Sequence, residues 1–570
     1  MAGFSAAPLM AASPAALSPQ RRGPVTVFEA RSIVTMEQAL PSARFMAVAD
    51  GTILGVADSL DELGPWTKDR ETKVDRQFAG KVLFPGLVDP HIHPMQAAVM
   101  LGMPFVAPDD WKLPGQNWQG VAGQEAYRRR LKKVIDGQSG EPIVIWGHHE
   151  LFHGPMDRQV LDAIERDRPV IVWQRSFHDV FANSAALRWM DLDTKAKFDA
   201  AIAAGKADPE HGDFAKGIFS ETALQVAIGK LRPVILAPKK LQSGFAGLQT
   251  MMHDRGVTTT ADMATGIFAG FEMEAGLIAN AFNRPNGKAR VSLIPIASEL
   301  DSYPNFDPEA WYKRTRDKFA SDKIIVDKRV KLFVDGAFFA QNMRMGSPGY
   351  SDGHVGKWLT EPDVMRDQLA RYWDAGFSLH IHVNGDEGAA VLLDTLGKLP
   401  HRLAQTVTLE HLGYCTEAQI EQILQLGLMV SAQPNYIRVL GDVYSRTGLG
   451  ADRASLMNRL GSLERTWTPL GLHSDFNMAP IDPFYLAWIA QTREGIDGVA
   501  RGEEERLSRW KALRAITIEA AQVIGMNDTI GSLSAGKKAD FVALDDDPFE
   551  VETDAMKEMP IAATVFEGVV

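Results

Sequence analysis

Phe84-Pro85-Gly86-Leu87-Val88-Asp89-Pro90-His91-Ile92-His93-Pro94 is the stretch on which the fold turns, an apolar run ending in two histidines one residue apart. Side chains of a β-strand alternate with a period of two, so a strand here sends His91 and His93 to the same face. Two imidazoles on one face at the end of a strand can grip a metal ion. Two ordinary turn histidines, held between Pro90 and Pro94, would leave the same pattern. The rest of the chain has to decide between the two.

Apolar, β-branched runs that each precede a helical pattern imply a parallel sheet. Eight such runs occur, at 87–93, 257–263, 290–296, 330–334, 377–383, 406–411, 428–434 and 471–475. Helix-like spacings at 362–375, 387–399, 417–426 and 452–460 separate several of them. The expected fold class is α/β, a (β/α)8 TIM barrel, whose active site lies at the C-terminal ends of its strands. Ligand-type residues collect at those ends: His91 and His93 on the first run, Lys331 on the fourth, His382 on the fifth, His411 on the sixth and Asp475 on the eighth. Six convergent residues are hard to assign to packing, and they favour the metal reading of His91 and His93.

Lys331 is the oddest of the six, because an ammonium is costly inside the apolar strand Val330-Lys331-Leu332-Phe333-Val334. Burial depresses a lysine pKa. The neutral amine can take up carbon dioxide and become a carbamate whose two oxygens bridge two metal ions. The competing reading is an ion pair with Asp335 or another acid.

An insertion at about 101–244 separates the first two runs and has strands of its own near 143–146 and 170–173. Long segments at an active-site face are normally functional. It carries His148, His149, His153 and His178, and 178–187 reads as the opening of a helix. We expect it to roof the substrate pocket, with one or two of these histidines left on the surface. Its aromatic residues, Trp111, Trp118, Trp146, Phe152, Trp173 and Phe177, suit an apolar or aromatic substrate, although tryptophan is as readily a core residue.

Both ends of the chain are rich in short β-runs. Those at 25–28, 33–36, 45–48 and 52–56 include the tight-hairpin signal Asp50-Gly51, and 530–544 and 562–566 answer them at the far end. The ends are expected to build one small β-sandwich, with two independent hairpins as the alternative. The expected division is a disordered lead-in at 1–23, sandwich strands at 24–82, the barrel at 83–511 and the remaining helix and sandwich at 512–570.

With 570 residues, 45% of them hydrophobic, the chain has a large core and no apolar run long enough to span a bilayer. A formal net charge of −12 offers no basic excess for nucleic acid. A single cysteine, Cys415, excludes an intramolecular disulfide and cysteine-cluster metal sites. The expected partner is a small-molecule substrate, with neither nucleic acid nor membrane, and a homodimer stays open. The Ala-, Pro- and Ser-rich lead-in lacks a basic start, so a cytoplasmic location is expected, a cleaved export signal being the alternative.

These residues resemble the amidohydrolase superfamily, specifically its YtcJ-like branch (amidohydrolase family 3), which includes N-substituted formamide deformylases. The likeness rests on 84–93, His178 with 183–187, 330–336, 380–386, Glu410-His411, His473-Ser474-Asp475 and the tail at 531–544. It implies one or two divalent metals, zinc first and manganese, iron or cobalt as alternatives. His91 and His93 would bind one ion and His382 and His411 the other, with carboxylated Lys331 between them and Asp475 beside the catalytic water. The implied reaction is hydrolysis of a carbon–nitrogen bond by metal-activated hydroxide, Asp475 moving the proton and His178 meeting the developing oxyanion. Glu221 resembles a recurrent acidic position whose role stays open. Trp146-Gly147-His148-His149 replaces the Tyr-Asp expected there in many relatives, which puts the usual substrate contacts in doubt, and Trp146 is taken as a candidate substrate contact in their place. His380 and His473, two residues before His382 and Asp475, face inward as supports behind the metal ligands or as substrate contacts, with core packing as the alternative. The rival readings are a metal-dependent isomerase or decarboxylase, and a regulatory relative without catalysis.

Overall fold

Gly86 is where the chain passes from one sheet to another. In this computed structural model, which describes residues 23–570, Val82–Pro85 pairs antiparallel with Phe541–Leu544 from the far end of the chain. Leu87–Ile92, one residue later, pairs in parallel with Val257–Thr265. A Cβ at position 86 would meet Thr258 Oγ1 at 2.5 Å, so only glycine fits this crossing. The expected lead-in at 1–23 lies outside the described residues except for Gly23.

The first of these pairings belongs to a seven-stranded sheet in the order Ile561–Val565, Phe541–Leu544, Val82–Pro85, Val25–Val34, Ser42–Ala49 and Thr52–Ala57, with Thr72–Asp75 also paired to Val25–Val34. The two chain ends therefore share one sheet and do not form separate hairpins. The runs at 25–28 and 33–36 are one strand whose register shifts between Glu29 and Ile33. Asp50 and Gly51, with φ of 50° and 69°, make the expected tight turn.

The eight apolar runs are all strands, and every pairing among them is parallel. Leu87–Ile92, Val257–Thr265 and Arg290–Pro295 form one sheet with the two-residue strand Ile324–Ile325. Arg329–Phe333, Ser378–Val383, Val407–His411, Met429–Ala432 and Leu470–Leu472 form the other. Single parallel bridges join the two sheets at both margins, Ile296 to Lys331 and Ile92 to Phe476. Most residues of these strands are buried, which explains why they read as continuous apolar runs and not as alternating ones.

The helices Pro362–Asp374, Asp386–Leu396 and Glu417–Gln425 occupy three of the four expected positions. The fourth is broken into Ala451–Ser455 and Leu460–Arg465. Asn458, at φ 42°, lies between them, and its side-chain amide donates to the His411 carbonyl at 3.0 Å. A tertiary hydrogen bond thus overrides a local helical pattern.

The insertion has a five-stranded sheet of its own, ordered Gly212–Asp213, Ile218–Ser220, Asp179–Ala182, Val170–Gln174 and Ile143–His148. The segment expected to open a helix at 178 first makes the strand Asp179–Ala182. The helix Ser184–Trp189 begins only after Asn183, whose side chain accepts the Ala186 N–H at 2.7 Å. Among the described residues, no helix is long and apolar enough to cross a membrane.

Candidate metal centre

The ends of the parallel strands bring His91, His93, Lys331, His382, His411, His473 and Asp475 together. Asp475 Oδ1 lies 3.0 Å from His93 Nε2 and 3.4 Å from His91 Nε2. His91, His411 and His473 form a second group, each offering a nitrogen within 4.8 Å of the others. The His382 ring centroid is 4.6 Å from that of His411. In the strand register Phe333 lies beside His382 and Lys331 beside His380, so Lys331 enters from two residues further down its strand.

Left-handed backbone makes part of this convergence possible. His411 has φ 74° and Leu412 φ 45°, and the turn lets Glu410 and His411 both face the cluster although they are adjacent in sequence. Asp475, at φ 51°, turns in similarly after the eighth strand.

Glu410, to which the sequence reading gave no role, is buried at the centre. Its carboxylate lies 2.7 Å from His91 Nδ1 and 2.7 Å from His380 Nδ1. It therefore holds His91 with Nε2 turned toward Asp475, and it makes His380 a partner of Glu410 and Arg329. Against the cost of burial, His380 and Lys331 hold the Glu410 carboxyl down to about 2.

Lys331 is not paired with Asp335. Asp335 instead accepts backbone N–H groups from Asn384, Arg344 and Gly385 at 2.7–2.8 Å. Lys331 Nζ is buried without a hydrogen-bond partner and lies 5.4 Å from the Phe333 ring centroid. Burial brings its pKa down to about 8. Burial first, and neighbouring cationic groups second, also hold His91, His382 and His411 well below the ordinary imidazole value. Neutral imidazoles, a carboxylate and an orphaned amine at these separations fit a divalent cation.

His178 Nδ1 is 3.0 Å from Glu221 Oε2. Burial disfavours charge on His178, but Glu221 outweighs it and raises the pKa. Asp475 and His382 are close enough to act on the same ring electrostatically, so His178 borders the cluster. A cavity of about 510 Å³ opens alongside, lined in part by Glu221, Phe268, Ile296, Phe333 and Trp358. The Phe333 ring, 5.5 Å from His382, connects that cavity to the strand ends.

The other insertion residues do not gather here. Trp146 is fully buried, its ring 4.8 Å from Phe105 and 5.1 Å from Trp111. One or two of His148, His149, His153 and His178 were expected at the surface, whereas the first three are buried and His178 is half-buried. His153 stacks on Tyr127 at 3.9 Å and accepts the His149 N–H. Tyr436 and Asn384 escaped the sequence reading. Tyr436 is buried with its ring 6.3 Å from His411, and the Asn384 amide lies 3.0 Å from His382 Nε2. Neither stands out in the sequence, where both look like ordinary loop and helix residues.

Along most of its length the chain is similar to known proteins. N-substituted formamide deformylase of Arthrobacter pascens is 24% identical over 94% of this chain and 96% of its own. YtcJ of Bacillus subtilis is 23% identical over 94% of this chain and 97% of its own. The crystal structure of an uncharacterized metal-dependent hydrolase from Pyrococcus horikoshii shares the fold, with a TM-score of 0.70 and 21% identity over 93% of this chain and 99% of that one. A family model described as the amidohydrolase family matches residues 78–570. The match spans most of the chain, whose His and Asp side chains at the ends of parallel strands could hold a metal ion, and the chain belongs to the amidohydrolase family.

Proposed function

We propose that this protein is a metal-dependent hydrolase that cleaves a carbon–nitrogen bond, of amide, N-acyl or N-formyl type, in a small apolar or aromatic substrate. The observation that supports this most is the meeting of His91 and His93 with Asp475 at separations of 3.0 and 3.4 Å, across the seam between two parallel sheets. On this reading the sheets close into a single (β/α)8 barrel at 83–511, and the seven-stranded sheet is a sandwich-type domain drawn from both ends. His91 and His93 would hold one cation and His382 and His411 another, with carboxylated Lys331 between them. Zinc suits these donors, as do manganese, iron and cobalt. When bound, such ions lower the pKa of water toward about 7 and polarise the carbonyl under attack.

The chain's own residues supply the rest. Asp475, held between two imidazoles, takes the proton from the attacking water and returns it to the departing nitrogen, which leaves poorly as an anion. Glu221 engages His178 Nδ1 and leaves Nε2 free to meet the oxygen on which charge develops. Phe268, Phe333 and Trp358 give the cavity an apolar wall, in keeping with an apolar substrate.

A panel of N-acyl, N-formyl and carbamate compounds, assayed in isotopic water at measured metal stoichiometry, tests the proposal. Solvent oxygen is expected in the carboxyl product, and its absence from every product of the metal-loaded protein overturns hydrolysis. Asp475→Asn is expected to cut kcat by about 100-fold or more. Near-normal turnover by that variant overturns the proton assignment.

A further inference from the structure

We infer that His473 is itself a ligand of the cation bound by His411, so that this centre holds one imidazole more than the six residues assigned above. The inference rests on the metal-dependent reading and concerns how the chain builds its second cation site. His473 is fully buried immediately after the eighth parallel strand, and its Nδ1 is engaged by Ser431 Oγ at 2.7 Å. That contact leaves Nε2 pointing at His411 Nδ1, 3.3 Å away. Two nitrogens each 2.0–2.1 Å from one tetrahedral ion stand about 3.3 Å apart. At that separation the two rings can also share an N–H···N hydrogen bond, and the metal-binding test separates this from ligation.

The surroundings point the same way. His411 Nδ1 also faces Gln433 Oε1 at 3.3 Å and Asp475 Oδ2 at 3.9 Å, so several donor atoms surround one small volume. His91, whose Nε2 faces Asp475, borders the group, its ring centroid 4.5 Å from that of His473. His382 belongs to neither donor group, and its Nε2 lies against the Asn384 amide. The Ser431 hydroxyl behind His473 can accept from Nδ1–H, the arrangement that leaves the Nε2 lone pair free for a cation.

The test uses the full-length protein loaded with Co2+ alone, reading metal content by mass spectrometry and ligand environment by visible absorption. His473→Gln and His473→Ala are expected to weaken the more labile ion by more than about 100-fold, beyond the 10–100-fold cost of losing an orienting partner, and to alter the Co2+ bands. Ser431→Ala is expected to fall within that smaller range. It carries the test if both His473 variants lose the native far-UV circular dichroism, and unchanged affinity and bands in it then overturn the inference. Folded His473 variants with wild-type stoichiometry and spectrum overturn it while the hydrolase reading stands. A wild-type protein that retains no cation overturns both.

Discussion

Glu410 shows where reading residues by alternation stops working. A period of two, applied to a strand ending at His411, sends the preceding residue to the opposite face. The left-handed turn at His411 and Leu412 removes that constraint, and nothing in the local sequence announces it. The turn is held from outside the strand, by Asn458 donating to the His411 carbonyl at 3.0 Å. The six strand-end residues were legible because type and position agreed. Glu410 was not, because its placement depends on a contact 47 residues away. Glu410→Gln is expected to weaken metal affinity by roughly 10–100-fold, since two buried rings lose the acceptor that orients them. Competition against a chelator of known affinity measures it, and unchanged affinity would remove Glu410 from its positioning role. For Lys331→Ala the expected result is loss of bound metal, with partial recovery when a short carboxylic acid is added in place of the carbamate. A metal content equal to wild type would argue that Lys331 stays an amine.

Among the elements, the strands were legible and the joints between them were not. Eight runs of β-branched residues announce eight buried strands, yet the residues that tie their ends together look like loop. Asp335, after the fourth strand, is the clearest case. From sequence alone it was a candidate partner for Lys331, whereas its carboxylate accepts N–H groups from Asn384 and Gly385, just past the fifth strand, and from Arg344. Backbone donors carry no sequence signature, so this role could not be read in advance. Asp335→Asn turns an amide N–H2 toward at least one of those donors and leaves it unsatisfied in the interior. A loss of about 1–3 kcal/mol is expected. Denaturant unfolding reads it as a lower midpoint at unchanged slope, and a midpoint equal to wild type would mean that the joint does not depend on the carboxylate.

At the scale of the molecule, the proposed cation donors lie across the seam between the two parallel sheets. Among the described residues, backbone pairing across that seam is limited to single bridges, Ile92 to Phe476 and Ile296 to Lys331, with side-chain contacts such as Asp89 to Ser474 and His91 to Glu410 beside them. His91 and His93 come from one side, and Lys331, His382, His411, His473 and Asp475 come from the other. A cation bound by both sets therefore fastens the sheets together, and its binding energy becomes stability, about 4 kcal/mol at a free concentration 1,000 times Kd. Cys415, just past the middle strand of the second sheet, reports on opening of that sheet. It is the single cysteine of the chain, it is buried, and burial pushes its thiol up to about 12, so the native protein should resist thiol reagents. Labelling then proceeds only through openings of the second sheet. Chelated protein is expected to melt at a lower temperature and to label at Cys415 faster than protein with zinc in excess, and restoring zinc should reverse both. If labelling keeps one rate with and without metal while the melting temperature shifts, the cation stabilises its own ligands without clamping the sheets, and the cross-seam role fails.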